Sequence, residues 1–529
     1  MVTYVNDLRL SELATGEGSG TWGTTTNTNL ELIAEKFGTG SEALSDASTA
    51  TITMADGSSD AFRSMALTLT GTLSQACTVT LAPNTLSNVW VIQNSAGNTV
   101  TLTQGTGANV VIPNGGIRMI ATDGAGSGAA ITDVLDVLGG TGNVGLGSGA
   151  FGTGLTTGTD NVAIGEAAGD ALTTGSDNTF VGDNAGGAAT TGSNNIAVGS
   201  GALDLEDAGT DSVAIGHNAL TTQNADGANH NVAIGSSAGG AITTGTQSTL
   251  VGGLSGDALT DGAANTAFGF ETLTADTKGN NAVAIGHHAL STQNFTTTTA
   301  NYNVAVGSQA GLSVSTGTLN TLVGGLVGDA ITTGTANTSV GYNSLGANTT
   351  ANNNTAVGAY TLEDNTTGTA LVAVGAGALK NNTTASNNTA MGLDALMTNS
   401  TGDTNVAIGK DSMKLNSTGT NNTAVGARSL QANTTAANNV AVGDLALGAN
   451  TTGTENTAVG TTANTAVTTG SQNTAVGYQA NASVTTTSGN TAVGSHALQD
   501  NTGTSNTAVG GNALKNISTG GYSVAVGQN

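Results

Sequence analysis

Residues 422–443 read NTAVGARSLQANTTAANNVAVG, and the phrase that opens the stretch returns at its end, 17 residues on. In forms such as NVAIG at 161–165 and NTAVG at 473–477, the phrase occurs 23 times from residue 143 onward. Of the 22 intervals between its closing glycines, 18 are 17 residues long and the others 16, 18, 19 and 21. A short period kept over residues 143–527 means stacked coils, each touching only its neighbours, and not a string of independent domains.

The first strand position of the phrase is Val, Thr or Ile in all 23 copies, the third is always apolar, and Ala stands between them in 18. Such a triplet is a short strand with two unlike faces. The glycine closes it where a turn needs positive φ or a close backbone approach. Asn precedes the triplet in 18 copies; Ser212, Ser248, Ala282, Leu371 and Ser523 are the exceptions. Stacked at one corner, amides such as Asn422, Asn439, Asn456, Asn473 and Asn490 can bond coil to coil as a ladder. A second element follows the glycine, HNAL at 217–220 or ARSL at 427–430, and then a polar TTG-type turn. Each coil thus has room for two short strands and two turns. Asn, Thr and Gly without a 3.6-residue period argue against a helix there.

Composition agrees with a thin repetitive fold. Only 9% of the 529 residues are charged, against about 25% in an ordinary domain. Glycine numbers 80 and aromatics are 3%, while the only prolines, Pro83 and Pro113, exclude collagen. Thirty-five acids against 10 bases give a net charge of −25. That charge repels phosphate backbones and anionic bilayers, so neither nucleic acid nor a membrane surface is an expected partner. Cys77 stands alone and forms no internal disulfide. No run of 18 apolar residues predicts a membrane-spanning helix, and MVTYVNDLRLSEL lacks the basic-then-apolar pattern of a secretory signal.

The triplet predicts self-association. Two short strands enclose a flattened space that suits Ala, which puts Val and Ile outside. Columns such as Thr423 and Val425, Val440 and Val442, with Val459, Val476 and Val493 continuing them, make an outward apolar stripe. A stripe that tall is more than a lone soluble chain tolerates, and a cyclic homotrimer closes it on one axis. At one strand spacing per coil, 22 steps give a rod of roughly 100 Å.

NVAIG-x-x-A resembles the head repeat of YadA-type trimeric autotransporter adhesins. That resemblance covers residues 143–529 and implies a left-handed parallel β-roll of three chains around a hydrophobic axis. The coils here are longer, with the extra residues in the TTG turns. Runs of the form NNTTGxxNTAVGxxAL resemble repeats of phage tail fibres and related virion proteins. The resemblance implies a structural virion fibre, a tail fibre or spike that carries attachment to a host-surface glycan or protein. The alternatives are a cell-surface trimeric adhesin and, more distantly, an ice-binding or glycan-cleaving solenoid. Ice-binding faces need Thr-x-Thr on one side of a strand, whereas Thr173-Thr174, Thr349-Thr350 and Thr451-Thr452 are adjacent.

The expected architecture is all-β, with a small α+β or sandwich module before the roll. Residues 1–45 form an attachment segment in which TNLELIAEKFG at 28–38 predicts a helix, with a Thr28/Glu31 capping box and Leu30, Ile33 and Phe37 on one face. Residues 46–140 alternate apolar and polar as in ALTLTGTL, NVWVIQ and NTVTLTQ, and predict a small antiparallel β-domain with a hairpin loop at 94–98. Residues 141–529 are the roll. The opening TYVNDLRLSELATGEGSGTWGT resembles N-terminal segments of marine phage fibre proteins, which implies docking on baseplate, tail or portal proteins.

Catalytic chemistry has no foothold. GGLSG at 252–256 lacks the Lys-Ser/Thr of a phosphate loop. Asp204, Glu206, Asp207 and Asp211 lack calcium-loop spacing and read as a solvated turn. His217, His287 and His288 recur by coil duplication without further ligands. No enzyme activity, metal or cofactor is expected. Two long turns, TTQNADGANH at 221–230 and STQNFTTTTANY at 291–302, follow the near copies VAIGHNAL and VAIGHHAL. Insertions in a solenoid bulge outward, which makes Asn224, His230, Phe295 and Tyr302 candidates for lateral contact.

Overall fold

A computed structural model describes residues 7–13, 16, 19–135, 142–152 and 155–529. The chain separates into two units, residues 1–212 with 226–228, and residues 213–225 with 229–529.

The first unit opens with α1 (Trp22–Lys36). It starts six residues before the expected Thr28, so no capping box forms there. In the Thr-rich first turns, Thr25 and Thr26 hydroxyls donate to the carbonyls of Thr21 and Trp22, which spares polar groups that would otherwise compete with the helix. The buried residue is Leu32, whereas Leu30 and Phe37 are exposed, so the expected apolar face is not the packed one.

Nine strands follow: β1 (Thr39–Leu44), β2 (Thr49–Thr53), β3 (Ala66–Gly71), β4 (Cys77–Ala82), β5 (Ser87–Ser95), β6 (Val100–Thr103), β7 (Val110–Ile112), β8 (Ile117–Asp123) and β9 (Ile131–Leu135). One sheet is ordered β1-β3-β5-β8-β9 and the other β2-β4-β6-β7. The first six strands alternate between the sheets and pair in parallel, so the chain winds as coils; only β7, β8 and β9 add antiparallel. The expected antiparallel domain is therefore a mixed one. Likewise, 94–98 is a corner between sheets and not a hairpin. Asn94 builds it, donating to the carbonyls of Asn98 and Ile112 at 2.8 Å each and accepting from Ala96 N. Between the sheets Trp90 stacks on Phe62 at 4.8 Å and donates to its carbonyl at 2.9 Å.

The rest is a parallel β-solenoid, with four triplet strands in the first unit and nineteen in the second, 23 in all. Register is constant: Thr423 faces Val440, Ala424 faces Ala441, and Val425 faces Val442. The central Ala is buried in coil after coil, as at Ala424, Ala441 and Ala458. The closing glycines stack as tightly as backbone allows. At Gly426 φ is +134°, and a Cβ there would lie 2.6 Å from the carbonyl of Gly443.

The second element is not a strand. In residues 427–430, Arg428 and Leu430 take φ of 56° and 48°, and both N–H groups still bond across coils, to Lys410 O at 2.9 Å and Ala446 O at 3.0 Å. The αL conformation costs a leucine about 1–2 kcal/mol, which burial of its side chain, worth about 1.5–3 kcal/mol, offsets. Among the described residues of the roll, further extended pairs occur beside the long turns, Gly209–Thr210 with Gly227–Ala228 and Gly279–Asn280 with Thr299–Ala300.

One interior space is filled from two alternative positions. Most coils with Leu four residues after the glycine, such as Leu362 and Leu430, have Asn three residues later, Asn365 and Asn433; in others Glu206, Gln223, Asp276 and Gln293 take that place. Coils with Gly there, such as Gly239, Gly256 and Gly328, have Ile242, Leu259 and Ile331 instead. A Cβ on Gly239 would meet Leu220 and Leu250 at 2.9 Å and Ile242 at 3.1 Å, so the volume is already taken.

Candidate functional site

Two amide ladders hold the coils and fix what faces outward. In the first, Asn439 N donates to Asn422 Oδ1 at 3.0 Å, while Asn439 Nδ2 reaches Gly453 O at 2.9 Å. Asn456, Asn473 and Asn490 repeat the step, each N–H donating to the preceding Oδ1 at 3.0 to 3.1 Å. The second ladder, which sequence reasoning missed, runs through Asn365, Asn382, Asn399, Asn416, Asn433 and Asn450, with Nδ2 to Oδ1 distances of 2.7 to 3.2 Å. Its signal was present: in these coils Asn precedes TT or ST, with Leu or Met three residues earlier. Next above Asn450 stands Val467, and Asn450 Oδ1 is left without a partner. The first residue of the TT turns is also committed, since Thr332, Thr366 and Thr451 hydroxyls donate to the carbonyls of Thr349, Thr383 and Thr468 at 2.9 to 3.1 Å.

With Ala and Asn turned in, the triplet's outer positions make the exposed face. Val442, Val459, Val476 and Val493 are each 36 or 37% exposed, and Val425 is half-buried. Neighbours above and below cover each side chain, so the remaining third is the outward surface of an unbroken apolar column. The bases of the roll are largely used up beside it. Lys380 meets Glu363 at 3.1 Å, Lys414 meets Asp394 and Asp411 at 2.9 Å, Arg428 meets Asp444 at 3.1 Å, and Lys278 meets Asp261 at 2.9 Å. Hydrogen bonds that Lys414 donates to Asp411 and Asp394 hold its ammonium above the ordinary lysine range. The surplus acids keep the surface negative.

The long turns differ from expectation in one respect. Asn224, His230 and Tyr302 are exposed. Phe295 is only 6% exposed, so it is not an outward contact. A buried carboxylate explains its position. Asp276 accepts from Phe295 N at 3.1 Å, Gly279 N at 3.0 Å and Gln293 Nε2 at 2.6 Å. Burial pushes the Asp276 carboxyl above the usual range, and the three hydrogen bonds pull against that rise. Glu206, read from the sequence as part of a solvated turn, is likewise buried and accepts from Gly209 N at 2.7 Å. Gln223 and Gln293 then stand in for the interrupted ladder, each accepting from Asn231 or Asn303 Nδ2 at 2.8 Å.

His288 Nδ1 lies 3.2 Å from Glu271 Oε2, and its ring sits 3.9 Å from that of His287. Among the described residues, no group of three or more His, Cys, Asp or Glu is placed to hold a metal ion, and no helix is long and apolar enough to cross a membrane. Comparison with protein-family models, with curated proteins and with solved structures gave no match.

Proposed function

We propose that the protein is a structural fibre of a virion, a homotrimer that carries attachment to a host surface and docks on the particle through its N-terminal module. One observation carries the reading: two continuous outward columns, mostly Val, Ile and Thr, in which Val442, Val459, Val476 and Val493 are each about a third exposed, on a chain that is 9% charged. Water contact along nineteen consecutive coils favours burial against further copies. Closed symmetry about one axis covers both columns at once. The copy number three and the virion setting come from the likeness of the repeat to YadA-type heads and phage fibres. Deletion of residues 1–45 tests the docking half. The truncated chain is expected to assemble as the full chain does yet be missing from purified particles, as read by immunoblot. Normal incorporation of the truncated chain overturns docking through that segment.

A further inference from the structure

Three exposed rings occupy the same place in three coils, the residue after the closing glycine: Phe270, Tyr342 and Tyr478. They are 47, 49 and 50% exposed in a chain poor in aromatics. Each meets, edge to face, a ring two residues past the glycine of the following coil. Phe270 meets His288 at 6.3 Å and 82°, Tyr342 meets Tyr360 at 5.6 Å and 81°, and Tyr478 meets His496 at 5.3 Å and 82°. Three copies of one geometry at one position are more than scattered surface aromatics.

The polar neighbours repeat as well. Each exposed ring is followed by a planar amide or carboxylate, Glu271, Asn343 or Gln479, and each of these is held from the next coil. Glu271 is held by His288; Asn343 Nδ2 donates to Glu363 Oε1 at 2.7 Å; Gln479 Oε1 accepts from Gln499 Nε2 at 3.0 Å. In the coil below two of the rings there is bare backbone, since a Cβ on Gly253 or Gly325 would come 3.5 Å from Phe270 and 3.7 Å from Tyr342. A half-open ring beside a fixed planar hydrogen-bonding group suits a sugar, whose C–H face packs on the ring while its hydroxyls reach the amide or carboxylate. A net charge of −25 disfavours a polyanion.

We propose that Phe270, Tyr342 and Tyr478, with Glu271, Asn343 and Gln479, form a row of three subsites for a neutral linear polysaccharide. The subsites are four and then eight coils apart, about 19 Å and 38 Å at one strand spacing per coil. A chain held at one subsite is kept at high local concentration near the next. The proposal deepens the attachment reading and rests on it for its biological purpose.

Affinity electrophoresis of the intact protein, in native gels cast with dextran, laminarin, mannan or alginate, tests it. Retardation is expected in at least one of the three neutral gels and not in alginate. Phe270→Ala, Tyr342→Ala and Tyr478→Ala are each expected to weaken it about tenfold, and the triple variant to lose it. Tyr522→Ala, an exposed ring outside the row, should change nothing. No retardation in any neutral gel, retardation that survives the triple substitution, or retardation in alginate alone overturns the subsites. Light scattering on the triple variant separates this from assembly. An intact oligomer that no longer binds is the expected result, and an oligomer that falls apart places the rings in the subunit interface and overturns the proposal. Lost sugar binding with the oligomer intact throughout leaves the fibre reading standing.

Discussion

In the N-terminal module, a coil closes around Trp90 and Phe62, with strands of three to nine residues and Leu, Ile and Val between two sheets. In the roll, a coil of similar winding encloses one Ala, one Leu or its substitute, and buried Asn amides. The roll pairs all its triplet strands in parallel and the module its first six strands, yet the module depends on apolar volume and the roll on repeated polar satisfaction. A coil too thin for large side chains gains cohesion from hydrogen bonds that each coil both receives and passes on. The price is that every buried amide needs its neighbour.

The largest effect expected from breaking this contrast is in the module. Trp90→Ala removes a fully buried ring and should cost about 3–5 kcal/mol. Scanning calorimetry should show the module's transition lowered and the roll's unmoved. A comparable shift in both would mean that the two regions do not differ as described. In the roll, Leu447→Gly empties the shared interior space, at about 2–5 kcal/mol. Adding Asn450→Leu should restore most of that loss, because it recreates the Gly256/Leu259 arrangement at the end of the Asn ladder. Absence of rescue would show that the two fillings are not interchangeable. Asn439→Ala is smaller: it leaves the Asn456 N–H buried without its acceptor, for about 1–3 kcal/mol.

The smallest effect is in the long turn. Burial raises the Asp276 pKa, so the folded chain holds that proton more tightly than the unfolded one. The stability this contributes is complete below the ordinary Asp value and is lost as pH rises through the folded value. Asp276→Asn should therefore flatten the fall in the roll's stability as pH rises above the ordinary Asp value. An unchanged slope would remove Asp276 from any part in it.

The period, the inward Ala and the glycine column were legible because each is the same residue type at the same step. Residues 427–430 were not legible as an αL turn, since leucine disfavours that conformation in isolation and only stacking supplies the compensation. Phe295 was misread because an aromatic in a Thr-rich insertion looks exposed; its place depends on Asp276, 19 residues earlier. In residues 46–140, alternation gives the faces of a strand but not the direction of its partner, so the parallel winding of β1 to β6 was hidden. The row of rings was equally hidden, because it shows only once coils are aligned by their glycines.

Self-association through the Val and Ile columns is tested most directly by native mass. Size-exclusion chromatography with light scattering on the full chain, over a range of concentrations, should give a species of three times 51.0 kDa. Val459→Asp with Val476→Asp should shift it toward the single chain. A wild-type mass of 51.0 kDa at every concentration contradicts the trimer and leaves the columns without a partner.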